Sequence, residues 1–247
     1  MTILFAPSES KRPGGGLPPI SESAFFLPQL YTRRVEALKR YDSFVDAANT
    51  EALKKLFGIK DEKLFTRYRA DRFDAPTMKA IRRYNGVAYD YLDYDTLPTD
   101  AQNYIDDNLV VFSNLFGPVR AKDRLPDYKL KQGETIDGFA PEKFYKEHFG
   151  DALTAYLTDR GPVVDLRAGF YEKFYKVPLP HTTMKFLKNG KSVSHWAKAY
   201  RGLVAREMAR QNIQDEEALL AMNVDGLAVR EILVKKRNRQ IVYEIID

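Results

Sequence analysis

Thr183-Met184-Lys185-Phe186-Leu187-Lys188-Asn189-Gly190-Lys191-Ser192-Val193-Ser194 decides the fold class. Thr183–Leu187 and Ser192–Ser194 flank an Asn-Gly pair that accepts positive φ at low cost, which is a strong hairpin signal. Ser194 is placed to cap a helix running from His195 to Arg210. A strand hairpin that passes directly into a long helix puts both element types in one folding unit.

Reading outward, Thr2–Ala6, Leu109–Phe112 and Pro162–Leu166 are short apolar runs of the kind found in buried strands. Asp127–Gln132 also reads as a strand, stopped by Gly133. Leu227–Val234 and Gln240–Ile246 flank the basic turn Lys235-Lys236-Arg237-Asn238-Arg239, giving a terminal hairpin. Leu30–Arg83 is mostly helical, punctuated at Gly58 and near Pro76. Val87–Leu92 fits a strand or part of a helical pair. Asp100–Asn108 is a short helix capped by Thr99, and Pro141–Asp159 is a helical pair broken near Gly150. Asp215–Met222 is a further helix. No repeat or linker-grade segment divides the chain. The expectation is one compact α+β domain over residues 1–247, with a mixed sheet.

The 247 residues are 44% hydrophobic and 13% aromatic, enough for a sizeable core without staples. No apolar run reaches the roughly 18 residues of a membrane span. Met1–Pro7 is too short for a signal-peptide core, so a cytoplasmic protein without membrane contact is expected. With no cysteine, disulfides, thiol nucleophiles and thiolate metal sites are excluded. His148, His181 and His195 are scattered, so neither a metal nor any other cofactor is expected.

Net charge is only +5, but its distribution is uneven. Arg33–Arg83 carries 14 Lys/Arg against 8 Asp/Glu. Tyr84–Val110 carries six Asp and no cation, and Thr182–Gln211 seven Lys/Arg against one Glu. Two basic blocks flank an acidic one, a pattern that suits an anionic partner and also suits solvated helix faces.

Three segments stand out. Ala52–Leu64 resembles the helix-hairpin-helix element of DNA-binding proteins, taken here over about residues 48–70. Leu53, Leu56, Gly58 and Ile59 match its hairpin, with Phe57 in place of Pro and Lys60 in place of the second Gly. Such hairpins present main-chain amides to a phosphate, and Lys60 and Lys63 would add charge. An ordinary αα-hairpin is the competing reading. On the helix from His195, Trp196, Tyr200, Leu203 and Val204 form the expected core stripe. Lys198, Arg201 and Arg206 lie opposite, among Gly202, Ala205 and Ala209. Small residues there admit a phosphate or another backbone. Arg120–Lys131 places five cations beside Asp123 and Asp127 on a turn and strand. Pro7–Gly16, with two prolines and three glycines, reads as a mobile loop carrying Lys11 and Arg12.

The order of several short motifs resembles the YaaA family of bacterial peroxide-stress proteins. They are Ile3-Leu4-Phe5-Ala6-Pro7-Ser8-Glu9-Ser10-Lys11, Asn85-Gly86-Val87-Ala88-Tyr89, Phe112-Ser113-Asn114-Leu115-Phe116-Gly117-Pro118-Val119-Arg120, Asp123, Pro126 with Tyr128-Lys129-Leu130, and Ala197-Lys198-Ala199-Tyr200-Arg201-Gly202. The opening is closer to a branch with Pro-Ser-Glu-x-Lys than to one with Ser-Pro-Ala-Lys-Thr. The resemblance implies a single α+β fold with a basic cleft and a helix-hairpin-helix element. It also implies double-stranded DNA binding and a role in limiting peroxide damage.

Residues and resemblance together predict a monomeric, non-sequence-specific duplex binder. Its phosphate contacts would come from Lys11, Arg12, Gly58, Ile59, Lys60, Lys63, Arg120, Lys131, Lys198, Arg201 and Arg206. Ser8, Glu9, Ser113, Asp123 and Tyr128 are the polar residues expected in the same cleft. They keep open a rival reading, an enzyme acting on nucleic acid or a nucleotide, with no catalytic roles assigned.

Overall fold

The computed structural model describes the backbone of residues 1–246 and every side chain in that span except those of Ser194 and His195. The cap expected of Ser194 therefore lies outside the described side chains. In chain order the first strand is β1 (Thr2–Phe5), followed by α1 (Tyr31–Ala47), α2 (Thr50–Phe57), α3 (Phe65–Tyr68) and β2 (Met78–Lys79). Then come α4 (Ala80–Arg83), α5 (Val87–Leu92), α6 (Thr99–Asn108), β3 (Leu109–Ser113), β4 (Gly117–Arg120) and β5 (Arg124–Leu125). The second half holds α7 (Pro141–Arg160), β6 (Val163–Asp165), β7 (His181–Lys188), β8 (Lys191–Ser192), α8 (Ser194–Arg210), α9 (Glu216–Ala221), β9 (Leu227–Lys235) and β10 (Asn238–Ile245).

This is an α+β domain built on a mixed eight-stranded sheet, in the order β4-β3-β1-β6-β7-β10-β9 with β8 on β7. β3, β1, β6, β7 and β10 are mutually parallel, and β4, β8 and β9 pair antiparallel. Period-two alternation sends side chains to opposite faces. Ile3, Phe5, Leu109 and Val111 pack with Tyr89 and Leu92 of α5, Tyr104 of α6, and Tyr200 and Val204 of α8. Leu4, Val110 and Phe112 pack instead under Tyr145, Phe149, Leu153 and Leu157 of α7. Helices thus cover both faces, which is why the central strands read as unbroken apolar runs.

The expected hairpin at Asn189-Gly190 is present: both residues take positive φ, at 52° and 74°, between β7 and β8. β9 and β10 form the expected terminal hairpin around Lys236 and Arg237. Val87–Leu92 is the helix α5 rather than a strand.

Several expectations are corrected. Asp127–Gln132 is not a strand. Its backbone is satisfied from outside a ladder: Tyr41 Oη donates to the Lys129 carbonyl, Asn114 Nδ2 to the Leu130 carbonyl, and Lys131 N–H donates to the Leu56 carbonyl. The pair predicted over Pro141–Asp159 is the single helix α7. Gly150 costs only about 1 kcal/mol there, and the apolar i, i+4 series from Tyr145 to Leu157 continues across it. Thr99 begins α6 after Pro98 and caps nothing. Helical structure from α1 ends at Tyr68, and residues 69–77 are irregular before β2.

Trp196 leaves the expected core stripe and is 45% exposed; Tyr200, Val204 and Met208 carry it instead. The loop after β1 is pinned, not mobile. Lys11 bridges to Tyr84, Arg12 N–H donates to the Arg83 carbonyl, and Leu17 bridges to Thr77. In the expected helix-hairpin-helix, α2 ends at Gly58 in the left-handed region, but the second limb is a 3-10 turn (Glu62–Leu64) and the four-residue α3. Asp61 Oδ1 accepts from the Lys63 amide, and the Asp61 carbonyl from the Leu64 amide. Asp61 thus occupies the Lys63 and Leu64 amides, two of the donors that a phosphate would use.

Candidate ligand-binding site

The chain leaving β1 turns toward β3, and the chain leaving β6 turns toward β7 on the other side of the sheet. β1 and β6 are adjacent and parallel. Their carboxyl ends therefore diverge and leave a crevice, the topological switch point at which open sheets of parallel strands bind ligands. A pocket of about 460 Å³ lies there. It is within the roughly 300–1,000 Å³ range of small-molecule sites.

Its floor and one wall come from Phe5–Ser10 after β1, with Leu166 and Ala168 after β6. Val87, Ala88 and Tyr89 of α5 form another wall, Tyr171 and Gln132 a third, and Lys198 and Arg201 of α8 supply cations. Hydrogen bonds fix this frame. Tyr89 Oη donates to the Ala6 carbonyl at 3.0 Å, and Tyr171 Oη to Asn114 Oδ1 at 3.2 Å. Gln132 N–H donates to Glu9 Oε1 at 3.1 Å, and Lys129 Nζ to the Glu9 carbonyl at 3.0 Å. Ser8 Oγ accepts from the Ser10 amide and closes the turn that presents Glu9.

Arg201 is the electrostatic centre. Half-buried on α8, it makes no hydrogen bond or ion pair to another described residue. Burial draws its basicity below the ordinary arginine range, and the Asp165 charge partly opposes this. Asp165 is already held by Arg167, Nε to Oδ1 at 2.9 Å and Nη2 to Oδ2 at 2.7 Å. Lys198 lies one turn away and is exposed. A second cavity of about 360 Å³, between β7 and α8, shares Ala168, Lys198 and Arg201 with the first.

Beneath the pocket, Lys11 is buried and donates from Nζ to the Ser8 carbonyl at 3.2 Å. Its ammonium lies 4.1 Å from the centre of the Tyr128 ring and 5.3 Å from that of Tyr84. Burial pulls its pKa down to about 7, Lys129 and Arg83 add to this, and Asp127 and Glu9 oppose it. The same desolvation pushes both tyrosines up. Tyr128 Oη joins Ser113 Oγ at 2.7 Å and Tyr84 Oη at 2.9 Å, a fully buried chain of three hydroxyls.

The predicted residues are thus dispersed. Ser8, Glu9, Lys198 and Arg201 line one pocket; Lys11 lies under it and Lys131 beside Gln132 at its rim. Lys60 and Lys63 are exposed on the hairpin after Gly58 and Ile59. Arg12 pairs with Asp95 at 3.1 Å. Arg206 donates to the carbonyls of Leu92 and Asp93 and to Thr96 Oγ1, tying α8 to the end of α5.

Asp123 and Arg120 do not reach the pocket. Asp123 is buried and accepts from the amides of Phe26 and Arg120, and burial raises its carboxyl above the usual range against the pull of Arg34. Ser113 and Tyr128 are likewise core residues. Gly202 faces the α5 backbone, so of the two occupants its small size admits, it is a helix that comes close. The walls from Val87, Ala88, Leu166, Ala168 and Tyr171 were not foreseen. Only the apolar run Pro162–Leu166 signalled a second strand to border the first. Among the described residues no cluster of acidic or histidine side chains could hold a metal ion.

A family model described as peroxide stress protein YaaA matches residues 1–233. This chain belongs to the YaaA peroxide-stress family. An uncharacterised protein of Campylobacter jejuni is 47% identical over 247 residues, covering all of both chains. A UPF0246 protein of Corynebacterium efficiens is 36% identical over 217 residues, 85% of each chain. A UPF0246 protein of Neisseria meningitidis is 31% identical over 166 residues, 62% of this chain and 64% of its own. Membership of the YaaA family supports a role in oxidative stress. No helix among the described residues is long and apolar enough to cross a membrane.

Proposed function

We propose that this YaaA-family chain acts in the cytoplasm in peroxide stress by binding double-stranded DNA without sequence preference. Its phosphate contacts come from side-chain cations around the mouth of the β1–β6 pocket. The observation that carries this reading is the continuity of hairpin and pocket. Lys131 packs against Gly58, where an added Cβ would stand 2.7 Å from Lys131 Cδ, and its amide donates to the Leu56 carbonyl. The next residue, Gln132, lines the pocket and holds Glu9. Exposed Lys60 and Lys63 thereby belong to the same neighbourhood as Lys131, Lys198 and Arg201. Because Asp61 occupies the Lys63 and Leu64 amides, the lysine side chains make the contacts. Such contacts position a duplex and read no bases.

The test is fluorescence anisotropy of a short duplex with the full chain at several salt concentrations. Affinity is expected to fall linearly in log–log with salt, losing about 0.9 of slope for each phosphate contact removed. Lys60→Glu with Lys63→Glu is expected to weaken binding and shallow the slope. A duplex that stays unbound at low salt overturns the reading. A second reading, an enzyme acting on nucleic acid or a nucleotide, is favoured by the volume of the pocket and by Glu9 and Ser8 in its wall. Chromatography of nucleotides incubated with the protein checks it, and unchanged substrates argue against it.

A further inference from the structure

We propose that the β1–β6 pocket is a binding site for a free small phosphomonoester carrying a ring, of nucleoside monophosphate size, with the phosphate on Arg201 and Lys198. The inference deepens the nucleic-acid reading by adding a ligand that enters the pocket rather than lying across its mouth.

Four observations carry it. The first is position, at the carboxyl ends of two parallel strands whose connections run in opposite directions. The second is the unpaired guanidinium. A half-buried arginine that lines the pocket with no hydrogen-bonding partner among the described residues has its fork available to an anion. Asp165, the one carboxylate acting on it, has both oxygens engaged by Arg167. Arginine's fork matches phosphate oxygens, and Lys198 one turn away adds a second charge on the same side.

The third is the apolar and aromatic part of the lining: Phe5, Val87, Leu166 and Tyr171. That surface suits a flat ring and gives an inorganic anion nothing. The fourth is a carboxylate in the same lining. Glu9 accepts from the Gln132 amide at Oε1, and its Oε2 lies 3.9 Å from Lys129 Nζ, close enough for an ion pair but beyond hydrogen-bond distance, so it can still accept from ligand hydroxyl or amino groups. A carboxylate there would repel a second phosphate, so the site favours one phosphate at one end of the molecule. A sugar phosphate and a nucleoside monophosphate share the phosphomonoester. They differ in the ring that the apolar wall would receive.

The experiment is isothermal titration calorimetry of the full chain with AMP, ribose 5-phosphate, inorganic phosphate and adenosine in separate arms. AMP is expected to bind tightest, with ribose 5-phosphate weaker and adenosine and phosphate weaker still. Equal binding of AMP and ribose 5-phosphate would assign the site to sugar phosphates and refute the ring contact. Arg201→Gln is expected to weaken AMP at least tenfold while the circular dichroism spectrum is kept. Lys198→Gln, at an exposed position, provides the same test should the arginine variant fail to fold. No AMP binding at millimolar concentration, or unchanged affinity in both variants, overturns the proposal. Lys60→Glu with Lys63→Glu is expected to leave AMP affinity unchanged. A parent protein that binds AMP but leaves the duplex unbound at low salt would sink the DNA reading alone, and one that binds the duplex but not AMP would sink this one alone.

Discussion

Gly202 of α8 lies against Ala88 of α5 so closely that an added Cβ would stand 2.0 Å from the Ala88 carbonyl oxygen and 3.0 Å from the Leu92 amide nitrogen. Two helix backbones meet at that point, and no flexible side chain is present to yield. The contact sets the distance between the wall of the pocket that carries Val87 and Ala88 and the one that carries Lys198 and Arg201. The acidic stretch before β3 and the basic stretch after β7 are joined there, with Arg206 bonding the α5 end as a second tie.

Gly202→Ala is accordingly expected to destabilise the protein by about 1–3 kcal/mol or more, the range for overpacking a tight interior. Urea unfolding measures it. A variant as stable as the parent would mean that the helices separate freely, and that the pocket width is not fixed by this contact.

Lys11 gives a pH prediction of definite sign. Its pKa is about 7 in the fold and about 10.4 in an unfolded chain. Between these values the unfolded chain binds more protons, so this group makes stability rise with pH, by up to about 1.4 kcal/mol per unit. Its burial penalty is fully present below about pH 7 and gone above about pH 10.4. Lys11→Met removes the titration. The stability advantage of the variant is expected to shrink steadily from pH 7 to pH 10, in chemical denaturation at each pH. Parallel curves for the two proteins would refute a shifted Lys11.

Tyr128 holds together the buried hydroxyl chain. Ser113 Oγ already accepts from the amides of Leu115 and Phe116, so its own proton goes to Tyr128, whose hydroxyl is also hydrogen-bonded to that of Tyr84. Tyr128→Phe strands both neighbours and is expected to cost about 1–3 kcal/mol of stability. The double variant Tyr84→Phe, Tyr128→Phe should lose less than the sum of the two single losses, because each breaks the same link. Additive losses would show that the hydroxyls act independently.

Arg206 separates a structural cation from a phosphate-binding one. Its guanidinium donates to two carbonyls and a hydroxyl at the end of α5. Arg206→Gln is expected to lower the unfolding free energy by about 1–3 kcal/mol and to leave duplex affinity within twofold. An unchanged stability with tenfold weaker duplex binding would move Arg206 to the DNA surface.

Much of the architecture was legible because local chemistry and tertiary demand agree. Asn189-Gly190 needs positive φ, and the chain needs a hairpin there. Ile3-Leu4-Phe5 and Leu109–Phe112 are apolar on every residue, as strands covered on both faces must be. The reading failed where distant groups supplied the hydrogen bonds. Asp127–Gln132 has strand-like composition, yet Tyr41, Asn114 and the Leu56 carbonyl satisfy its backbone from positions far away in sequence. Trp196 obeys the helical period of the core stripe and is still exposed, because period alone does not say which arc of α8 meets α5 and α6.

By itself the sequence determined most of the element types, the excluded chemistries of thiols and clustered histidines, and the family through its ordered motifs. Only the tertiary structure decided which cations share a site. Lys198 and Arg201 meet Ser8 and Glu9 across about 190 residues because β1 and β6 lie side by side at the switch point. Asp123, which read as a cleft residue, is held in the core by the amides of Phe26 and Arg120. Charge along a chain is a one-dimensional record. Whether a charge meets solvent, a carboxylate or a pocket depends on strand order and on helix packing as close as Gly202 against Ala88, neither of which any local stretch encodes.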